Sequence, residues 1–195
     1  MKKLIPMGAN LIPDTATCVF KGEIYDIYQW QQQMYDGTFK TFETGKRCDT
    51  VDVFAIVDDK VVLLEDEQPH REAILTLPGG GIDSTDGSSL EGAKRELKEE
   101  TGYSFENWKL IEVVKPVERL EWFVYTYIAY GAYEKVEPQV DHGERIKVMK
   151  KSFEEIQSLA AAGEERLKYY LDFLQGKTLE EFIDTPEFKG VEVDR

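Results

Sequence analysis

The chain has 195 residues, enough for one large domain or for one domain with a small appendage. Hydrophobic residues at 42% and aromatics at 12% exclude global disorder. A formal net charge of −14 speaks against long nucleic acid and anionic membranes as partners, because both select a basic surface. A small phosphate ligand stays open, provided that divalent cations mediate the contact.

In chain order, Met1-Lys2-Lys3-Leu4-Ile5 briefly imitates a signal peptide. Pro6, Gly8, Asn10, Pro13 and Asp14 then interrupt any apolar run. No stretch approaches the ~18 apolar residues of a membrane helix. Cys18 and Cys48 are the only cysteines and form no CxxC pair, so a reducing, cytoplasmic setting is expected.

Residues 15–47 are rich in β-branched and aromatic types. Asp36-Gly37 separates the stretches 24–33 and 38–42, which predicts a hairpin in a small N-terminal antiparallel sheet. Asp58-Asp59 separates a second pair of strands at 50–57 and 60–64, and 73–77 is a further short strand. Pro78-Gly79-Gly80-Gly81 then breaks the chain. Leu90, Ala93, Leu97 and Thr101 recur in steps of three and four, predicting a helix over 90–101 that Gly102 stops. Strands follow at 109–114, 122–130 and 145–149, then helices at 153–161, 164–174 and 179–183, with a loose acidic tail from 184 onward. The elements lack a regular βαβ rhythm, so the fold class is α/β (α+β) with a mixed sheet covered by helices.

The most informative run is Arg95-Glu96-Leu97-Lys98-Glu99-Glu100-Thr101-Gly102-Tyr103. On a helix, Glu96, Glu99 and Glu100 share one face. Three close carboxylates repel each other unless a cation neutralises them, and hard oxygen ligands select Mg²⁺ or Mn²⁺. Arg95, four residues before Glu99, is placed to hold a carboxylate in position. A bare Glu-Glu pair is ordinarily solvated surface. Here the acids follow a strand and a glycine loop, whose backbone can approach a ligand and whose carbonyls can complete a metal shell.

This segment resembles the Nudix box: G, five residues, E, seven residues, R-E-hydrophobic, one residue, E-E, one residue, G-hydrophobic. Gly81, Arg95, Glu96, Leu97, Glu99, Glu100, Gly102 and Tyr103 fall on the pattern. Gly87 stands where the box has its first glutamate, with Asp86 and Asp83 as nearby substitutes. The resemblance implies an α/β/α sandwich and Mg²⁺-dependent hydrolysis of a diphosphate linked to a further moiety. Glu96 and Glu100 would ligate the metal, Glu99 would ligate it or accept a proton, the Gly80 carbonyl would add a contact, and Arg95 would orient the glutamates.

The flanks resemble ADP-ribose pyrophosphatases and related nucleotide-sugar hydrolases. The likeness rests on an N-terminal β extension, an imperfect Gln-x-Arg at Gln68-Pro69-His70-Arg71, Leu77-Pro78-Gly79-Gly80 and Pro116. It implies a small-molecule nucleoside diphosphate as substrate, ADP-ribose foremost, and a homodimer built through the extension. The expected organisation is an extension at 1–47, a hydrolase core at 48–163 and a helical segment with acidic tail at 164–195. Asp141-His142-Gly143-Glu144 resembles the acidic loop of that group and makes Glu144 a candidate general base, with a solvated loop acid as the alternative. Trp30 and Tyr28 are candidates for stacking on a base, although aromatics at strand spacing are more often core. Arg47 and Arg71 are candidates for phosphate or ribose contacts, and Arg119 for a loop near the substrate. NTPs, dinucleoside polyphosphates and CDP-alcohols are alternative substrates, and a nucleotide-binding module without turnover is the non-enzymatic alternative.

Overall fold

The computed structural model of the protein describes residues 2–139, 143 and 145–194. Its centre is a mixed sheet of β5 (Thr50–Val57), β6 (Lys60–Gln68), β8 (Tyr103–Val114), β10 (Val124–Lys135) and β11 (Arg145–Lys151), in the order β11-β6-β5-β10-β8. The strand β7 (Arg71–Thr76) pairs with β6 off this path. The pair β5 and β10 is parallel, whereas β10 with β8 and β6 with β11 are antiparallel.

Strand periodicity places one layer on each face of this sheet. Val51, Val53, Ala55 and Val57 point to one side, where they pack with Ala93 and Leu97 of the helix α1 (Ser89–Thr101). Phe54 and Ile56 point to the other, where they meet α2 (Phe153–Ala161), a 3-10 turn at Leu167–Tyr170, α3 (Leu171–Leu174) and α4 (Leu179–Ile183). The alternation of apolar side chains along β5 therefore produces an α/β/α sandwich, as the resemblance implied.

The hairpin at 58–59 turns on two residues of positive φ, Asp58 at 53° and Asp59 at 57°, which suits the twist of the strands it joins. A separate sheet holds β2 (Thr17–Lys21), β3 (Asp26–Gln33), β4 (Phe39–Lys46) and the two-residue β9 (Leu120–Glu121). Two buried carboxylates tie the N-terminal segment to the body. Lys3 Nζ bonds Asp49 at 2.6 Å, and Ile12 N–H donates to Glu121 at 2.6 Å.

Three sequence readings are corrected. The chain from 191 to 194 is not loose: β12 (Val191–Asp194) pairs with β1 (Lys2–Ile5), so the two ends of the chain form one ribbon. The helix expected over 164–174 begins only at Leu167 and starts as a 3-10 turn. Both β8 and β10 are longer than their apolar runs, because their polar ends pair with each other from Tyr103↔Lys135 onward.

Candidate active site

The glycine loop lies where it does because half of β5 has an open edge. Strand β6 pairs with β5 only at Ile56 and Val57. Upstream, the Val53 and Val51 amides donate instead to the carbonyls of Pro78 and Gly80, at 2.8 and 2.9 Å. This close approach demands glycine at 79, where φ is +152° and a Cβ would stand 2.0 Å from the Val51 carbonyl oxygen. The Gly79 amide then donates to Glu100 Oε2 at 2.8 Å, linking loop and helix.

Helix α1 begins at Ser88, whose side chain accepts from the Glu91 amide, and ends at Gly102 in the left-handed conformation. It buries Ala93, Leu97 and Thr101, which turns Arg95, Glu96, Glu99 and Glu100 toward the glycine loop side. All five N–H groups of Arg95 are used. Nε and Nη2 fork onto Asp86 at 3.1 and 2.8 Å, Nη2 also reaches the Gly81 carbonyl at 2.8 Å, and Nη1 reaches Glu96 at 2.9 Å and Glu99 at 3.1 Å. Asp86 raises the guanidinium pKa foremost, and Arg95 in turn holds the Asp86 carboxyl below the usual range.

This arrangement accounts for Gly87. Asp86 is buried, and it also accepts the Asp83 amide at 2.7 Å, so it fastens both the loop and Arg95. A Cβ at position 87 would meet nothing within 4 Å, so that residue faces open space. Asp86 thus serves as the anchor of Arg95, one place before the glutamate of the pattern.

The acidic patch suits a divalent cation on two grounds. Its donors are hard carboxylate oxygens, the kind that Mg²⁺ and Mn²⁺ take. Beside the Glu96 carboxylate, Gly80 leaves a space that its own Cβ would fill at 2.6–2.8 Å. Among the described residues no three such side chains close on one point, since Arg95 is bonded to both Glu96 and Glu99. The Gly80 carbonyl accepts from Val51 and keeps a second lone pair for a further contact.

From Gly79, Gly80, Gly81 and Glu100 a cleft of about 220 Å³ opens, lined also by Arg47, Arg71, Asp52, Asp66, Trp122 and Arg166. Two of the sequence candidates, Arg47 and Arg71, therefore meet the acidic helix. Arg71 bonds the Asp66 carboxylate and, at 2.8 Å, the Asp66 carbonyl. The Arg47 guanidinium lies over the Trp122 ring at 4.9 Å, and its Nε is buried without a hydrogen-bond partner. Trp122 is itself held by Thr50, its indole N–H donating at 3.0 Å.

Other candidates are elsewhere within this chain. Trp30 packs against Phe42 at 5.9 Å and lines a different groove, together with Arg119. Tyr28 is paired across the sheet with Thr44. Glu144, like Asp141 and His142, lies outside the described residues. A larger cavity of about 710 Å³ shares Arg47 with the cleft beside Glu100 and is lined by Lys3, Lys21, Lys46, Asp49 and Tyr125. It carries none of the helix α1 carboxylates, but Asp83 and Ser84 of the loop and Ser89 of that helix line it too.

Sequence reasoning missed Asp52, Asp66, Trp122, Arg166 and Tyr170. Tyr170 donates its hydroxyl to Asp52, whose carboxyl burial pushes up. These residues come from separate elements, with no spacing that could have grouped them. The one legible hint was an acid at Asp52, inside an otherwise apolar strand.

The NUDIX domain family matches residues 46–173, well over half of the chain. A solved structure described as an ADP compounds hydrolase superposes with a TM-score of 0.68 at 18% identity, covering 87% of this chain and 91% of that one. At that identity the likeness speaks for the fold. No curated protein matches the chain.

Proposed function

Because the chain belongs to the Nudix family and is a pyrophosphohydrolase of that kind, we propose that it hydrolyses the P–O–P linkage of a nucleoside diphosphate sugar, with ADP-ribose as the first substrate to try. The observation that carries this reading is the meeting of opposite chemistries in one cleft. Glu100 of helix α1 lines the cleft, with Glu96 and Glu99 beside it on the same helix, and Arg47 and Arg71 stand on the walls. An anhydride of two phosphates needs both, a cation on the acidic side and guanidinium groups for the remaining charge. The superposed hydrolase of ADP compounds agrees with an adenosine-containing substrate.

Glu96 and Glu100, with Glu99 and the Gly80 carbonyl beside them, would hold Mg²⁺, or Mn²⁺ in its place. Such an ion, when bound, would polarise the phosphoryl oxygens and lower the pKa of water. The chain's own residues supply the rest. Arg95 holds Glu96 and Glu99 apart in fixed orientation and is itself anchored by Asp86. Glu99, more exposed than Glu96, accepts the proton of the attacking water. The new bond joins that water oxygen to one phosphorus, and the bridging P–O bond breaks. The products are a nucleoside monophosphate and a sugar phosphate. Glu144 is the second candidate for proton acceptor.

The small sheet of β2, β3 and β4 presents Val19, Phe20 and Phe39 to solvent, which supports its use in a homodimer. Trp30 and Tyr28 of that sheet would then serve base recognition across the dimer. Sedimentation of the purified chain tests the dimer, which a monomer at all micromolar concentrations would rule out.

The reaction is tested by product analysis on ADP-ribose, GDP-mannose, UDP-glucose, CDP-choline, diadenosine polyphosphates and NTPs, with Mg²⁺, with Mn²⁺ and with EDTA. Preference for one diphosphate sugar, abolished by EDTA, is the expected result. Release of pyrophosphate from an NTP as the best reaction would replace this substrate class.

A further inference from the structure

The cleft has a second wall that the Nudix pattern does not describe. Arg166 lines it, just ahead of the 3-10 turn Leu167–Tyr170. That turn is fixed by what it buries. Leu167 and Tyr170 enter the core beneath Phe54, with the Tyr170 ring edge-on to Phe54 at 5.1 Å, and the Tyr170 hydroxyl reaches into the sheet to Asp52. Arg166 is thus delivered from the layer opposite to the one that carries Glu100, yet both line the same cleft.

The charges of this wall are unequal in their commitments. Arg71 is neutralised by Asp66. Asp52 is engaged by the Tyr170 hydroxyl. Among the described residues neither Arg166 nor Arg47 is in a salt bridge, and Arg47 keeps a buried Nε with no acceptor. Two guanidinium groups that make no salt bridge with the described residues, Arg166 acting on the Asp52 carboxyl only at longer range, face one small cleft in a chain of net charge −14 and offer a place for a bound anion. The volume of about 220 Å³ is below the range of pockets that enclose a whole drug-sized ligand, and suits a pair of phosphates.

We infer that Arg166 is a phosphate-binding residue, gripping with Arg47 the substrate's diphosphate from the wall opposite helix α1. The inference rests on the diphosphate-cleaving reading above and adds to it. The C-terminal third of the chain completes the substrate site, and the phosphate turned away from the acidic helix is read by guanidinium groups.

The test is binding of methylenediphosphonate, a diphosphate that water cannot cut, measured by calorimetry with and without Mg²⁺. Wild type is compared with Arg166→Ala, Arg166→Gln and Arg166→Lys. Because Arg166 is exposed, its loss is expected to leave the melting temperature unchanged. Loss of a charge-assisted contact is expected to weaken binding about tenfold or more in the Ala and Gln variants. Lysine should restore part of it, since it returns the charge without the planar fork. In turnover, KM for the best diphosphate sugar should rise by a similar factor with kcat little changed. Unchanged binding in both neutral variants, or a wild type that binds no diphosphonate at all, overturns the inference. If wild type cuts diphosphate sugars while Arg166→Ala keeps its KM, the reaction stands and Arg166 falls. If wild type cuts nothing but Arg166→Ala still weakens the diphosphonate, the anion site stands and the reaction falls.

Discussion

The two walls of the cleft were built in opposite ways. The acidic wall is one continuous stretch, from Gly79 to Gly102, in which a loop bonded to β5 runs into a capped helix. The basic wall is assembled from Arg47, β5, β7 and the turn after α2, elements more than a hundred residues apart in the chain. In the first, local geometry already places the reactive groups: helix periodicity aligns three glutamates, and a missing Cβ makes room beside them. In the second, each side chain arrives only because the sheet closes and both faces are covered. Changes in the acidic wall should therefore affect chemistry with the fold intact, and changes behind the basic wall should couple to stability.

The sharpest way to break this comparison is Glu100→Gln. It removes one carboxylate charge beside Gly79 while keeping shape and an acceptor for the Gly79 amide. A fall in kcat of at least about a hundredfold with unchanged melting is expected. Steady-state kinetics with thermal unfolding checks it, and full activity with Mg²⁺ would disprove the metal assignment.

Next in size is Asp86→Ala. It frees Arg95 and the loop amide of Asp83 together, so both stability and rate should drop, stability by on the order of 1–2 kcal/mol given that Arg95 is partly exposed. The Asp86 carboxyl is held below its ordinary range, so its contribution is present above the unfolded value of about 4 and is lost as pH falls through the folded value. Denaturation from pH 7 downward should show the gap between the two proteins narrowing in acid.

Asp52→Asn sharpens the comparison from the other wall. Burial raises the Asp52 carboxyl, so the native state favours its protonated form. The stability it permits is full below the unfolded value of about 4 and declines as pH rises through the folded value. The amide, still able to accept from Tyr170, should melt a few degrees above wild type at neutral pH and together with it at about pH 3. A variant that melts lower at neutral pH would show that Asp52 works as a charged partner of Arg166.

The smallest effect belongs to Gly87→Glu. The position faces open space and Asp86 already occupies Arg95, so activity and stability should stay within about 0.5 kcal/mol of wild type. A large gain in rate would mean that the glutamate of the pattern does something that Asp86 does not.

What the sequence determined by itself was whatever depends on neighbours along the chain. The apolar alternation of β5, the helix that Gly102 stops and the shared face of Glu96, Glu99 and Glu100 follow from periodicities of two and 3.6, and the turn at Asp36-Gly37 from its residue types. The ranges of α2 and α4 were readable for the same reason. Tertiary structure alone decided that Asp86 holds Arg95, that the chain ends pair as a ribbon, that Trp30 stands apart from the cleft, that Arg47, Asp52, Arg71 and Arg166 line that cleft together, and that Tyr170 reaches Asp52 from the core. The physical reason is that such contacts are set by how sheet and helices bury their apolar faces. A lone arginine or a buried aspartate leaves no periodic trace of the partner that burial will bring to it.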